Sequence, residues 1–456
     1  VNLRKVIVVG GGVAGLAFGY YLTRLRPDAD VQILEGAPRT GGNVRTLRRN
    51  GCVVELGPDA FMAMPGSAVG ALCEAVGAAP LAAPSQAGKV LVARGRALHP
   101  MPEGLAMGMP RSLSQMAGTA LLSPWGKLRA GLDLLLPAHR SDAVSVGELV
   151  GRRLGREVKD RLVEPIVGGI YGGDVDELDA QVVMPSLAKV RGSLIRAMAA
   201  APKPSAGGVP LRAPPGGMDS LTDALAREVG VSRISLGCNV IELTRAGAGW
   251  ALRDASGTVH AADEVVLAAS PPTVRRLLTP VDAAAGEAVG AFKLRAAMTV
   301  IAAFPRAALR CPEASGALIP RSVDEPLRAL SAMSFVDRKW PDRVTEDLTV
   351  IRLAVRPDRA LAWMNDPEEE IIARCLEALR VLLPAPEPAW TALERYEQGT
   401  PQPTPGHTAR VAEARAKATA LGGLTVLGAA WDGPGIAGCV TGAKREAERL
   451  AGLLGA

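Results

Sequence analysis

Aromatic residues are scarce in this 456-residue chain, with 5 Phe, 4 Tyr and 6 Trp, or 3% of the total. A nucleic-acid groove needs stacking rings beside its cations, so the net charge of +6 is not read as a nucleic-acid signal. The Lys and Arg residues are also spread along the sequence, which suits an anionic small substrate or a membrane surface equally well. The six cysteines (Cys52, Cys73, Cys238, Cys311, Cys375 and Cys439) contain no CxxC pair. Buried free thiols in a reducing compartment are expected, without disulfides. His99, His139, His260 and His407 are dispersed, and no metal site is expected. No apolar run reaches the roughly eighteen residues of a membrane span. Residues 1–24 read as strand, glycine turn and helix, so no signal peptide is read and a cytoplasmic protein is expected.

What is present is a globular composition, 48% hydrophobic and 21% charged, in a chain long enough for two or three domains. A short apolar strand, Val6–Val9, runs into Gly10-Gly11-Gly12-Val13-Ala14-Gly15 and then into a helical pattern ending near Arg24. Gly10, Gly12 and Gly15 occupy the three glycine positions of a dinucleotide-binding turn. They serve the tight turn, the close approach of backbone to pyrophosphate, and helix–strand packing. The helix N-terminus offers free N–H groups to that pyrophosphate. Glu35 closes the next strand, where an acid binds the ribose hydroxyls.

The stretch Glu35-Gly36-Ala37-Pro38-Arg39-Thr40-Gly41-Gly42-Asn43 adds a cation and bare backbone beside the same phosphates. It resembles the signature of the flavin-dependent amine oxidase and desaturase superfamily, and the resemblance implies FAD as cofactor. Gly57, Pro58, Asp59 and Ala60 follow another short strand and join the candidate cofactor contacts. At the other end, Gly428 and the Pro434-Gly435-Ile436 segment put glycines at a second strand-to-helix junction, whose helix N-terminus can stabilise charge on a reduced flavin. Val240, in an expected strand Ser235–Leu243, is a candidate for backbone contact with the adenine.

The expected architecture is α/β, flavin amine oxidase-like. A discontinuous Rossmann-like FAD-binding domain spans 1–85, 206–280 and 405–456. An inserted mixed-sheet substrate domain spans 86–100 and 281–404, and a helical lid or membrane-facing domain spans 101–205. The apolar stretch Met101–Pro137, with a helix expected over Trp125–Leu136, is the candidate for monotopic membrane contact.

Several further segments carry a closer resemblance. Val163-Glu164-Pro165-Ile166-Val167-Gly168-Gly169-Ile170-Tyr171-Gly172-Gly173-Asp174 resembles the signature of bacterial porphyrinogen oxidases of haem biosynthesis. So do Gly57–Phe61, Leu98–Gly104, Arg338–Pro341 and Pro401-Gln402 followed by Gly406-His407. They occur in order along essentially the whole chain. Two positions depart from that pattern: Pro403 stands where an aromatic usually follows Pro-Gln, and Ala437-Gly438 where Pro-Asp is more common. The resemblance implies six-electron oxidation of a porphyrinogen by FAD, with O2 as acceptor and H2O2 released. Coproporphyrinogen III is the expected substrate, with protoporphyrinogen IX as the alternative. It also implies contact with the next haem-pathway enzyme and places Gly169 where a backbone carbonyl assists the substrate.

A macrocycle needs a broad apolar slot with cations at its rim for the propionates. Leu318, Ile319, Met333 and Ile351 are candidate wall residues, although each also reads as sheet core. Lys89, Arg94, Arg96 and Arg352 are candidate rim cations. Two other classes stay open at this point. An amine oxidase or carotenoid desaturase would frame the flavin with facing aromatics, one wall of which Trp431 could supply. A non-catalytic binding protein resembling the prenylated-GTPase escorts would lack the glycines at 428, 433 and 435.

Overall fold

The computed structural model describes residues 4–85, 89–138, 144–201 and 210–455. Its nucleus is a five-stranded parallel sheet in the order Leu424–Val426, Glu264–Leu267, Lys5–Val9, Asp30–Glu35, Ile234–Leu236. Val6, Ile7 and Val8 are fully buried, as a central parallel strand covered on both faces requires. The helix Val13–Leu25 leaves the first strand at Gly12 and packs along the long C-terminal helix Gly435–Gly455. The two ends of the chain therefore build one unit.

The expected strand Ser235–Leu243 is two strands. Gly237 takes a φ of +69°, ending Ile234–Leu236 in the parallel sheet. Val240–Ala246 then starts a separate antiparallel meander with Gly249–Asp254 and Val259–Ala262. The helix expected over Trp125–Leu136 is shorter, covering Pro124–Gly131 with a tighter turn at Leu132–Leu134.

The second sheet has seven strands, ordered Trp390–Gln402, Lys293–Pro305, Leu348–Val355, Leu330–Phe335, Gly316–Leu318, Val90–Arg94, Ala97–Pro100. All pairs are antiparallel except Gly316–Leu318 with Val90–Arg94. One face packs against Ile371, Cys375, Leu376 and Leu379 of the helix Glu368–Arg380. The opposite face meets the dinucleotide unit through Ile301, Ala303 and Val350, and the helical region through Val92.

The helical region runs from Leu113 to Ala200 as short helices. Asp133, fully buried, ties three of its segments together by accepting from Arg153 Nε at 2.7 Å, Ser193 Oγ at 2.6 Å and Ile195 N at 3.0 Å. A buried carboxylate is tolerated only with its lone pairs answered in this way. Among the described residues no helix is long and apolar enough to cross a membrane. All six cysteines are free thiols. His139 and residues 202–209 of the expected Ala199–Gly217 loop lie outside the described residues.

Candidate cofactor and substrate site

The glycine turn is fixed by contacts that leave no room for a side chain on two of its three glycines. A Cβ on Gly10 would lie 2.5 Å from the Ala268 carbonyl oxygen, and one on Gly15 would lie 2.0 Å from that of Gly10. Gly12 differs: its nearest neighbour would be Gly42 Cα at 3.9 Å. The Gly12 position is thus a cradle faced by a second glycine loop. Gly41 N donates to Gly11 O at 2.8 Å and holds the two loops together. Val13 and Ala14 start the helix between them, and both are buried.

Glu35 Oε2 accepts from Gly11 N at 2.6 Å, and its Oε1 accepts from Ala37 N at 2.7 Å. This fixes the carboxylate beneath the turn. Gly36 lies against Asn239, which brings Val240 close to the same end. Val240 is buried and its carbonyl accepts from Arg276 Nη2 at 3.0 Å. Arg39 turns inward, donating to the carbonyls of Thr40, Gly42 and Val44 at 2.8–3.0 Å. Here the arginine shapes the Gly41-Gly42 loop with its own guanidinium.

A third segment closes on the second. A Cβ on Gly57 would stand 1.9 Å from Asn43 O, so Gly57 is a point of close backbone approach. Pro58 and Ala60 flank it half-buried. Asp59 pairs with Lys339 Nζ at 2.7 Å. Burial pushes the Asp59 carboxyl up, but Lys339, Arg352 and Arg343 outweigh it and bring it down to about 2. On the fourth side, a Cβ at Gly428 would be 4.0 Å from Ala14 Cβ, which joins the C-terminal junction to the first turn. Asp432 Oδ2 accepts from Gly428 N at 2.8 Å. Pro434 and Gly435 are accessible at the start of the last helix, and Ile436 is buried behind them.

The sheet supplies the wall, and pleating decides which residues face inward. Ile319, Met333 and Ile351, expected to line a slot, are 1%, 2% and 0% exposed and belong to the core under the helix Glu368–Arg380. Neighbours in a strand point to opposite faces, so Leu318 and Arg352 lie on the other side. Arg352 is a correction of a different kind. Its Nε donates to Glu55 O at 3.0 Å, and its Nη2 donates to Gly57 O at 2.8 Å and to Thr299 Oγ1 at 3.3 Å. It straps the sheet to the Gly57 segment and leaves the expected rim. Arg94 likewise donates to Ala120 O. Lys89 and Arg96 are exposed.

Leu318 meets the helix Glu164–Tyr171: a Cβ on Gly169 would be 3.9 Å from Leu318 Cδ2. Ile170, next to Gly169, is 57% exposed. This helix ends at Gly172 in the left-handed conformation, and the N–H groups of both Gly172 and Gly173 donate to Gly168 O. Among the described residues nothing donates to Gly169 O. Gln402 fastens the helix end by donating to Tyr171 O at 2.8 Å. That bond joins the two sequence signatures, 163–174 and 401–407, in space, and Asp179 N adds a second tie by donating to Pro403 O at 2.7 Å.

Two residues escaped the sequence reading. Ile170 was signalled by its spacing from Ile166, which puts both on one helix face. Tyr396 had no sequence signal. Its hydroxyl is buried without a partner, 3.4 Å from where a Gly57 Cβ would stand. Burial pushes its phenol up to about 12, Glu394 adding to the effect. Trp431 does not form a cage wall, because it is buried against Phe292 at 5.9 Å between ring centroids.

A parallel sheet with a glycine turn, an acid held at the end of its second strand and a second sheet packed against the same core is the architecture of a flavin-dependent oxidoreductase. The chain belongs to the flavin containing amine oxidoreductase family, whose model matches residues 13–451. Within it, the chain is similar to the coproporphyrinogen III oxidase of Bacillus subtilis (strain 168), 29% identical with 97% of this chain and 96% of that protein covered. It is 31% identical to the coproporphyrinogen III oxidase of Propionibacterium freudenreichii subsp. freudenreichii, covering 98% and 90%. A crystal structure from Exiguobacterium sp. 255-15, provisionally named a protoporphyrinogen oxidase, superposes with a TM-score of 0.87 at 28% identity over 98% of each chain.

The cofactor is FAD. The residues present fit it: an open cradle at Gly12 facing Gly42, a Glu35 carboxylate held by Gly11 N and Ala37 N, and an unpartnered Tyr396 hydroxyl beside Gly57.

Proposed function

We propose that this enzyme oxidises coproporphyrinogen III to coproporphyrin III in haem biosynthesis, with O2 as electron acceptor and H2O2 as product. The observation that carries this reading is the Gly169 carbonyl, left without a donor beside the apolar pair Leu318 and Ile170. A reduced macrocycle offers a broad apolar face and inward pyrrole N–H groups, and this combination answers both. Each oxidation removes a hydride from a meso C–H together with one proton. Over three rounds the four meso carbons lose four hydrogens and the pyrrole nitrogens two, so imine–enamine tautomerisation moves a hydrogen from carbon to nitrogen between rounds. Bound FAD supplies the two-electron acceptance. The Gly169 carbonyl accepts a hydrogen bond from a pyrrole N–H, orienting the ring, while Leu318 and Ile170 exclude water from its face. Three rounds with three O2 balance the removal of six electrons and six protons as three H2O2.

The names of both curated relatives support coproporphyrinogen III over the protoporphyrinogen substrate. In this reading residues 1–85, 206–280 and 405–456 hold FAD. Residues 86–100 and 281–404 present the substrate wall, and 101–205 form its cover. Purified holoenzyme given each porphyrinogen in air, followed by porphyrin fluorescence and peroxide release, is expected to favour coproporphyrinogen III at least tenfold in kcat/KM. Equal rates overturn the substrate choice, and no turnover of either overturns the reading.

The same reading includes peripheral membrane contact by the helical region. Trp125 is 79% exposed and Leu135 80%, with Leu128 and Leu132 exposed between them and Lys127 and Arg129 alongside. Apolar side chains flanked by cations suit an anionic headgroup layer. The double variant Trp125→Asp with Leu135→Asp is expected to lose co-sedimentation with anionic vesicles while keeping porphyrinogen turnover. Unchanged sedimentation counts against the contact.

A further inference from the structure

The meander beside the adenosine end of the cofactor site brings together three residues that the sequence keeps apart. Cys238 precedes the strand Val240–Ala246, Asp254 ends Gly249–Asp254, and His260 sits in Val259–Ala262. Cys238 Sγ is 3.3 Å from Asp254 Oδ2 and 3.7 Å from His260 Nε2, and His260 Nε2 is 2.9 Å from Asp254 Oδ2. Among the described residues this is the group of three whose ligand atoms all lie within 4.8 Å of one another.

We propose that Cys238, Asp254 and His260 bind one divalent ion of the zinc class, with solvent as the fourth ligand. Zinc bonds of about 2.3 Å to sulfur and about 2.0–2.2 Å to nitrogen and oxygen place tetrahedral ligand atoms roughly 3.4–3.6 Å apart. The sulfur-to-oxygen and sulfur-to-nitrogen edges already match this closely. The nitrogen-to-oxygen edge is shorter because those two atoms share a hydrogen bond, whose proton the ion would displace.

The support around the trio is that of a ligand set. Asp254 is buried, and its other oxygen accepts from Ser256 N at 2.9 Å, Ser256 Oγ at 2.5 Å and Thr258 N at 3.1 Å. These bonds aim Oδ2 at the other two ligands. All three residues stand on or beside a hydrogen-bonded three-stranded sheet, so little ordering is left for binding to impose. Cys238 and His260 are partly exposed, which gives an ion an entry path. A nucleophilic relay is the other chemistry such residues support. It requires the thiol and the carboxylate on opposite ring nitrogens, whereas here both face Nε2. Burial, reinforced by Asp254, also pushes the Cys238 thiol up to about 11, the wrong direction for an activated nucleophile.

The position gives the ion a structural consequence. Cys238 N donates to Glu35 O at 2.8 Å, so an ion held at the thiolate braces the segment carrying the ribose-binding acid. The test uses chelator-treated, FAD-loaded protein titrated with Co2+ and then Zn2+. One equivalent of Co2+ is expected to give thiolate charge-transfer and tetrahedral d–d absorption in the difference spectrum, both bleached by Zn2+. Saturating Zn2+ is expected to raise the apparent unfolding temperature. Cys238→Ser is expected to abolish the charge-transfer absorption, and His260→Gln to weaken binding at least tenfold. Both variants are checked for stoichiometric FAD, which shows that they are folded. An absent charge-transfer band in the parent protein, or both variants binding like the parent, overturns the site.

Discussion

Gly15→Ala is expected to yield protein without FAD and with a markedly lower unfolding temperature, whereas Gly12→Ala folds normally and fails only at the cofactor. The two glycines lie three residues apart in one turn, but their surroundings are opposite. A methyl on Gly15 would be 2.0 Å from the Gly10 carbonyl oxygen and 3.2 Å from Val8 Cγ1, both parts of the central strand and its turn. Relief requires the helix Val13–Leu25 to move off the sheet. That disturbs the packing around Leu16, Ala17 and Phe18, all fully buried, and costs several kcal/mol, on the order of overpacking at a rigid site. A methyl on Gly12 meets nothing nearer than Gly42 Cα at 3.9 Å, on backbone with a φ of −73° that any residue adopts. Its cost appears when a pyrophosphate approaches the backbone there, as at least a tenfold loss of FAD affinity. The ratio of flavin to protein absorbance, with thermal unfolding of the flavin-free forms, separates the two. A Gly15→Ala protein with full flavin and parental stability would show that the turn tolerates the shift.

Glu55→Ala is the second large effect, and it acts away from the chemistry. Glu55 is 3% exposed and accepts from Arg343 Nη1 at 2.9 Å, Met218 N at 2.9 Å and Thr46 Oγ1 at 2.7 Å. Arg343 is 4% exposed and also donates to Pro214 O. Removing the carboxylate strands a buried guanidinium and two further donors, which costs about 3–5 kcal/mol. The pair joins the Gly57 segment, the start of the helix Asp219–Val229 and the second sheet. Flavin is therefore expected to be released at a lower temperature in the variant, read as the rise of free-flavin fluorescence on heating. Replacing both partners, as Glu55→Leu with Arg343→Met, is expected to recover more than half of the loss, because no buried charge is then unpaired. A double variant no better than Glu55→Ala would put the stability in the individual hydrogen bonds.

Much of the cofactor site was legible because its constraints are local. The turn at Gly10–Gly15 and the acid at Glu35 keep their sequence spacing in the folded chain, and the contact that forbids a side chain on Gly15 is with Gly10 of the same turn, although Gly10 itself is fixed by Ala268. The substrate wall was not legible in this way. Leu318 and Ile319 are consecutive, as are Ile351 and Arg352, and a pleated strand can present only one of each pair to the cleft. Reading residues singly could not choose between them, because which face of the strand is covered by the helix Glu368–Arg380 is set by a segment far along the chain. Arg352 and Arg39 read as free cations in sequence. In the fold Arg39 spends its donors on carbonyls of its own loop, and Arg352 on those of the Gly57 segment, which only tertiary packing brings near.

The sequence by itself determined a flavin-binding chain, because strand, glycine turn, helix and acid follow one another at a spacing that the folded chain keeps. Tertiary structure alone decided which face of the second sheet is covered by the helix Glu368–Arg380 and that Arg352 is spent as a strap. It also gathered Cys238, Asp254 and His260. Each of these depends on how sheets and helices from distant parts of the chain share burial and hydrogen bonds, and that accounting closes only in the packed molecule.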